Sequence, residues 1–343
     1  MKISDFRSDT VTRPDPEMYE AIQRAPLGDD VLGDDPTVAK LENYGAELLG
    51  KEAALFLPSG TMANQIACYC HTRAGDEIIL EEQSHIYNFE SGALTVISRV
   101  QPRPLKGVYG KIPLELIQEA IRPPSLHCPT TTLLCLENTH NLAGGTVLEL
   151  DYCQQAYELA LQNGLRLHLD GARIFNAAIA SQTEAKKFAQ CCHSLSFCLS
   201  KGLGAPAGSL LLGDKKFIEN ARKIRKMLGG AMRQAGILAA AGIVALEKRH
   251  RLNLDHQRAK KLALALSKIK PLEIDLNSVQ TNIVLVNLPK MWNSQDISQK
   301  LQDKGILVSA ISPHKIRFVV HKDIDDQDVD NAIYACEKLM AEK

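Results

Sequence analysis

Short apolar runs at residues 54–57, 78–80, 133–136, 167–169, 195–199 and 210–212 alternate with longer helix-like stretches. That alternation is the strongest constraint on the fold. A short apolar run without an in/out pattern suits a strand covered on both faces, and helices between such strands supply the cover. The expectation is an α/β fold with a largely parallel sheet. A helix-rich connector follows over 215–266. The chain then reads as strand 283–286, helix 296–304, strands 306–308 and 316–320, and helix 326–340, a small α+β unit. Residues 1–247 are therefore assigned to an N-terminal arm plus a large domain, and 248–343 to a small C-terminal domain. A length of 343 residues fits two such units. The first thirty-odd residues, with Pro14, Pro16, Pro26, Gly28 and Gly33, read as a turn-rich arm. Asp35-Pro36 opens a helix, an N-cap followed by proline at the first helical position, and Gly50 stops it.

Several function classes fall away on charge and hydropathy. Lys+Arg and Asp+Glu are both 40, which argues against a general polyanion-binding surface and so against nucleic acid. The basic stretches 222–233 and 248–251 read as solvated helix faces. The first residues turn polar at once, and the longest apolar run, 237–246, is too short to span a bilayer. Nine scattered cysteines, an odd number, point to a reduced cytoplasmic protein rather than a disulfide framework. Their spacing gives no structural zinc site, and no metal is expected.

Chemistry gathers where strands hand over to helices, as in open α/β sheets generally. A strand ends at Asp170, followed by Gly171-Ala172-Arg173. An aspartate there can hold a ligand cation or simply cap the next helix. Another strand delivers Lys201 into Gly202-Leu203-Gly204-Ala205-Pro206-Ala207-Gly208. A lysine that forms a Schiff base needs partial desolvation and room for a planar adduct, and these small residues leave that room. A third strand turns through Ser59-Gly60-Thr61 into a helix, where unpaired N–H groups and hydroxyls suit a phosphate. A carboxylate for a ring nitrogen, a lysine for an aldehyde and a helix N-terminus for a phosphate together describe pyridoxal 5′-phosphate. Neither a G-x-G-x-x-G nor a Walker A motif competes with that reading.

With these residues in view, the chain resembles the L-threonine aldolases, the low-specificity L-threonine or L-allo-threonine enzymes of the aspartate-aminotransferase fold type. The resemblance runs through Phe6-Arg7-Ser8-Asp9-Thr10, Gly28-Asp29-Asp30-Val31, Pro58-Ser59-Gly60-Thr61-Met62, Ser84-His85-Ile86 and Glu137-Asn138-Thr139-His140-Asn141. It continues through His168-Leu169-Asp170-Gly171-Ala172-Arg173, Leu199-Ser200-Lys201-Gly202 and the segment from Lys226 to Gly236. It implies a pyridoxal-phosphate-dependent transferase-like large domain and retro-aldol cleavage of L-threonine and L-allo-threonine to glycine and acetaldehyde. A β-eliminating lyase and a non-catalytic cofactor-binding protein are the competing functions.

The resemblance also implies roles. Lys201 holds the cofactor as a Schiff base, Asp170 pairs with the pyridine nitrogen, His85 stacks on the ring, and Ser59, Gly60 and Thr61 cradle the phosphate. Arg173, Arg317 and Ser8 are the candidates for the amino-acid substrate's carboxylate, with Arg173 also near the cofactor. His85 and His127 are the candidates for the base that takes the β-hydroxyl proton, directly or through water. Lys226 and Arg233 are expected to reach the phosphate from a neighbouring subunit of a homotetramer. One position departs from the family pattern: Leu32 follows Val31 where tyrosine is usual, on what is expected to be the substrate side.

Overall fold

The computed structural model describes residues 2–341. Its strands are β1 Ser4–Asp5, β2 Ala53–Leu57, β3 Glu77–Glu81, β4 Gln101–Leu105, β5 Thr131–Glu137 and β6 Arg166–Asp170. Then come β7 Ser194–Cys198, β8 Ser209–Gly213, β9 Ile283–Asn287, β10 Ile306–Leu307, β11 Ser309–Ser312 and β12 Lys315–Val319. The apolar runs all became strands of one seven-stranded sheet, ordered β2-β8-β7-β6-β5-β3-β4. Only β8 runs against its neighbours; β4, β3, β5, β6 and β7 are mutually parallel. Because β8 is antiparallel to both β2 and β7, β2 points the same way as the parallel set. The carboxyl ends of β2, β3, β5, β6 and β7 therefore open on one rim, and the loops that follow them converge there.

β4 escaped sequence reading because Pro102 and Pro104 lie in it. It sits at the sheet edge, the place where missing N–H donors are tolerated. The arm also holds more structure than its prolines suggested. Helix Pro16–Arg24 is capped by Asp15, whose side chain accepts from Met18 N, and it buries Met18. Asp15-Pro16 is the same start signal that correctly opened helix Pro36–Leu49. There Asp35 accepts from Thr37 N and Val38 N, and Gly50 closes the helix at φ +62°, a conformation that costs glycine least. Asp35 also accepts from Gly236 N, tying this helix to helix Gly236–Glu247. Losing such a cap costs about 0.5–2 kcal/mol.

Of five hydrophobic clusters among the described residues, two hold most of the buried apolar side chains. The larger draws on residues from Met18 to Leu252. The other combines residues from Ala259 to Leu339 with Phe6 from the arm. The first takes in residues past 247, as far as Leu252, the second begins at Ala259, and the start of the arm packs on the second through Phe6. There β1 pairs with β10, and β11-β12-β9 form a three-stranded sheet. The 248–251 stretch is not the exposed face of a helix. It is a tight turn in which Lys248 pairs with Asp15 and Glu17, and Arg251 reaches Gly202 O. Among the described residues, no helix is long and apolar enough to cross a membrane, and all nine cysteines are free thiols.

Candidate active site

Each strand end on the rim contributes one group. After β2, Ser59 caps helix Gly60–His71 and accepts from Met62 N. The N–H groups of Gly60 and Thr61, in the first turn, have no preceding helical carbonyl to bond. Gly60 is required for packing, since a Cβ there would lie 2.7 Å from Cys198 Sγ at the end of β7. β6 ends in Asp170, 2% exposed, whose Oδ1 accepts from Ala172 N and whose Oδ2 accepts from Asn64 Nδ2 at 2.8 Å. Lys201 lies three residues beyond β7. Among the described residues its Nζ has no hydrogen-bond or ion-pair partner, yet it acts electrostatically on both Asp9 and His85. A half-buried amine with no partner among the described residues, near enough to Asp9 and His85 to shift both, is available for a ligand.

His85 follows β3. Its backbone N–H donates to Glu137 Oε2 at 2.6 Å, and Glu137 Oε1 accepts from Asn141 N at 2.8 Å. One carboxylate at the end of β5 thus sets two loops. His85 Nδ1 lies 3.0 Å from Glu90 Oε1. Burial pushes the His85 pKa down, but Glu90, Asp170 and Glu137 outweigh burial and Lys201, so it stands above the ordinary histidine value.

The arginines meet here from distant parts of the chain. Arg173 Nε and Nη2 donate to the two oxygens of buried Asp9, both at 2.7 Å. Half of its fork is therefore taken by a partner that sequence reading assigned no role. Burial pushes Asp9 up, but Arg173 and Lys201 outweigh it and hold the carboxyl far below its usual range. Arg317 is on β12, the central strand of the small sheet rather than an edge. Its Nη1 donates to Asn141 Oδ1 at 3.1 Å and its Nη2 to Arg7 O at 3.2 Å, while Nε is buried without a partner. Burial, then the nearby Arg173, lowers its pKa to about 10. Ser8, next to Arg7, spends its Oγ on Thr10 N and Oγ1. Arm, large unit and small unit do converge.

Other expected residues lie apart. His127 is exposed in the loop before β5, at the opposite end of the strand from Glu137 and its register partner Asp170. Six residues of strand separate the two ends by roughly 20 Å, so His127 cannot reach the Asp170 of its own chain. Lys226 is exposed in the last turn of helix Lys215–Met227. Arg233 is exposed and pairs with Asp29 at 3.0 Å. Neither bonds to Ser59, Thr61, Asp170 or Lys201, although Gly230 between them packs on Met62 of the phosphate-type helix. Leu32 is 76% exposed on a turn that Asp30 anchors to buried Arg225.

Asn64, Glu90 and Asn141 were not singled out from sequence. Asn64-Gln65 inside the apolar stretch Met62–Cys68 was the available signal, because polar side chains in a buried helix face need built partners.

The sequence profile of the Beta-eliminating lyase family matches residues 5–289. The low specificity L-threonine aldolase of Escherichia coli strain K12 is 44% identical over 327 residues, covering 95% of this chain and 96% of that protein. Among solved structures, Leishmania major threonine aldolase has a TM-score of 0.85 at 20% identity, covering 98% and 99% of the two chains. Sphingomonas wittichii serine palmitoyltransferase has 0.80 at 16%, covering 99% and 88%. The α/β fold with a mostly parallel sheet read from the sequence is the fold of these two structures. The chain is a lyase of the Beta-eliminating lyase family and belongs with the low-specificity L-threonine aldolases.

Proposed function

We propose that this protein cleaves L-threonine and L-allo-threonine to glycine and acetaldehyde with pyridoxal 5′-phosphate as cofactor. The observation that carries the reading is the unpaired Lys201 amine on the same rim as Asp170 and the free N-terminus of helix Gly60–His71. These donors fit a planar, phosphorylated pyridine aldehyde. Lys201 would hold the aldehyde carbon, Asp170 the ring nitrogen, Ser59, Gly60 and Thr61 the phosphate, and His85 one ring face. When bound, that cofactor supplies an electron sink for the carbanion left at Cα.

The chain's own residues do the rest. Arg317 offers its guanidinium to the substrate carboxylate, with Arg173 beside it on the shared Asn141 Oδ1 and Ser8 close by on the arm. Holding the carboxylate orients the Cα–Cβ bond for cleavage. His85 takes the β-hydroxyl proton, directly or through one water. His127 serves only if it enters the site of another copy, and Lys226 and Arg233 reach the phosphate in the same way, within a cytoplasmic homotetramer. Hydrophobic discrimination of a methyl is worth only about 1–3 kcal/mol, so both Cβ epimers are accepted at different rates.

The test is incubation of the purified protein with each epimer and assay of glycine and acetaldehyde. Ammonia and a keto acid in their place would assign it to β-elimination instead.

A further inference from the structure

Glu90 is a carboxylate of this site with no part in the reaction as described. It lies just past helix His85–Asn88 and is 3% exposed. A carboxylate so deeply buried is costly unless its lone pairs are taken, and all its partners come from the site. Oε1 faces His85 Nδ1 at 3.0 Å and accepts from Asn64 Nδ2 at 2.9 Å, while Oε2 accepts from Gln65 Nε2 at 2.5 Å. The same Asn64 nitrogen donates to Asp170 Oδ2 at 2.8 Å. One amide therefore holds two carboxylates.

The orientation of that amide is fixed from behind. Asn64 Oδ1 accepts from Ser196 Oγ at 2.8 Å and faces His168 Nε2 at 3.2 Å. His168 Nδ1 in turn meets Ser194 Oγ at 2.9 Å. With donors on the oxygen side, the NH2 group has only the two carboxylates to face.

We propose that Glu90 is a positioning residue for the proton-transferring histidine. It holds the neutral His85 ring with its proton on Nδ1, so that Nε2 carries the lone pair presented to the substrate, and Asn64 joins this pair to Asp170. The proposal rests on the reading of His85 as the base. Four charged groups bear on the ring: Glu90, Asp170 and Glu137 favour the protonated form, and Lys201 opposes it. Phe89 is the tilted aromatic neighbour, 5.7 Å between ring centroids. Glu90 is the charge that also fixes which nitrogen is protonated, which is the usual job of a carboxylate behind a working histidine.

The test is nitrogen NMR of the full-length protein labelled in histidine, with the His85 signals identified by their loss in His85→Gln. In the wild type the neutral ring should be the Nδ1–H form and should titrate above the ordinary histidine midpoint. Glu90→Gln should lower that midpoint by about one pH unit or more and shift the acidic limb of the kcat profile the same way, with KM nearly constant. Glu90→Asp should restore part of the shift. An Nε2–H tautomer, or a midpoint unmoved in Glu90→Gln, would overturn the proposal. If Glu90→Gln does not fold, the wild-type tautomer still decides it. The NMR result is independent of which products form, so failure of the aldolase reading is separately visible.

Discussion

Asn141 Oδ1 accepts a hydrogen bond from Arg317 Nη1 at 3.1 Å, and Arg173 Nη1 approaches the same oxygen at 3.5 Å. A neutral oxygen thus keeps two guanidiniums side by side without neutralising either. That is the arrangement a substrate carboxylate needs, because a charged side chain in Asn141's place would compete for the same donors. Asn141→Asp should therefore raise KM for L-threonine about 10- to 100-fold, as expected for loss of a charge-assisted contact, and leave cofactor affinity nearly unchanged. The thermal midpoint should rise, since the new carboxylate pairs with both arginines. Arg317→Ala should raise KM likewise, without the thermal gain. Unchanged KM in both variants would remove this pair from substrate binding.

Lys201 has no protein partner for its amine, so truncating it breaks no hydrogen bond or ion pair among the described residues. Lys201→Ala should fold with wild-type stability while losing both the visible absorption of lysine-bound cofactor and all measurable turnover. Retention of the band would move the attachment to another lysine.

What could be read from the chain depended on how local the determinant is. Asp170, Lys201 and Ser59 were visible because each lies at the end of an apolar strand or within three residues of it, and a parallel sheet brings such positions to one rim whatever the loops do. Asn64 and Asn141 were not, because their roles are defined by partners far away in sequence, as with Asn64 and Ser196, 132 residues apart. His127 shows the converse limit. Its polar loop was legible, but only the direction of β5 reveals that the loop lies at the wrong end of the strand for its own site. In the fold, β4 was masked by its prolines, and helix Pro16–Arg24 by the turn residues around it.

Asp170→Asn tests the ring-nitrogen partner and the local packing together. A neutral amide cannot stabilise a protonated pyridine, and a loss of ~2.7 kcal/mol in the transition state lowers kcat by about two orders of magnitude. The variant also replaces two acceptor oxygens by one, although Ala172 N and Asn64 Nδ2 both donate to this side chain. One buried donor is left unsatisfied, at a cost of about 1–3 kcal/mol. Slower turnover with cofactor still bound, together with a lower thermal midpoint, is the expected result. A variant within a few-fold of wild-type kcat would exclude the role.

His168 supplies a pH prediction because it is fully buried behind Asn64 and Asp170. Burial lowers its pKa from 6.5 to about 4, against the raising effect of Asp170 and Ser194. The folded protein holds it neutral while the unfolded chain protonates it near its ordinary value. Its contribution is therefore complete above pH 6.5 and is lost as pH falls from there toward 4. At pH 5.5 the loss from this one group is on the order of 1 kcal/mol. Asp255, which burial pushes up to about 7, works in the opposite direction over the same range, so the wild-type profile alone does not isolate His168. Comparison with His168→Gln does, because every other titrating group is common to the two proteins. The variant should be less stable at pH 7, with Ser194 and Asn64 imperfectly paired, but should lose about 1 kcal/mol less than wild type between pH 7 and 5.5 in denaturant unfolding. Parallel losses in the two proteins would mean that His168 titrates alike in the folded and unfolded chain, with no depression of its pKa.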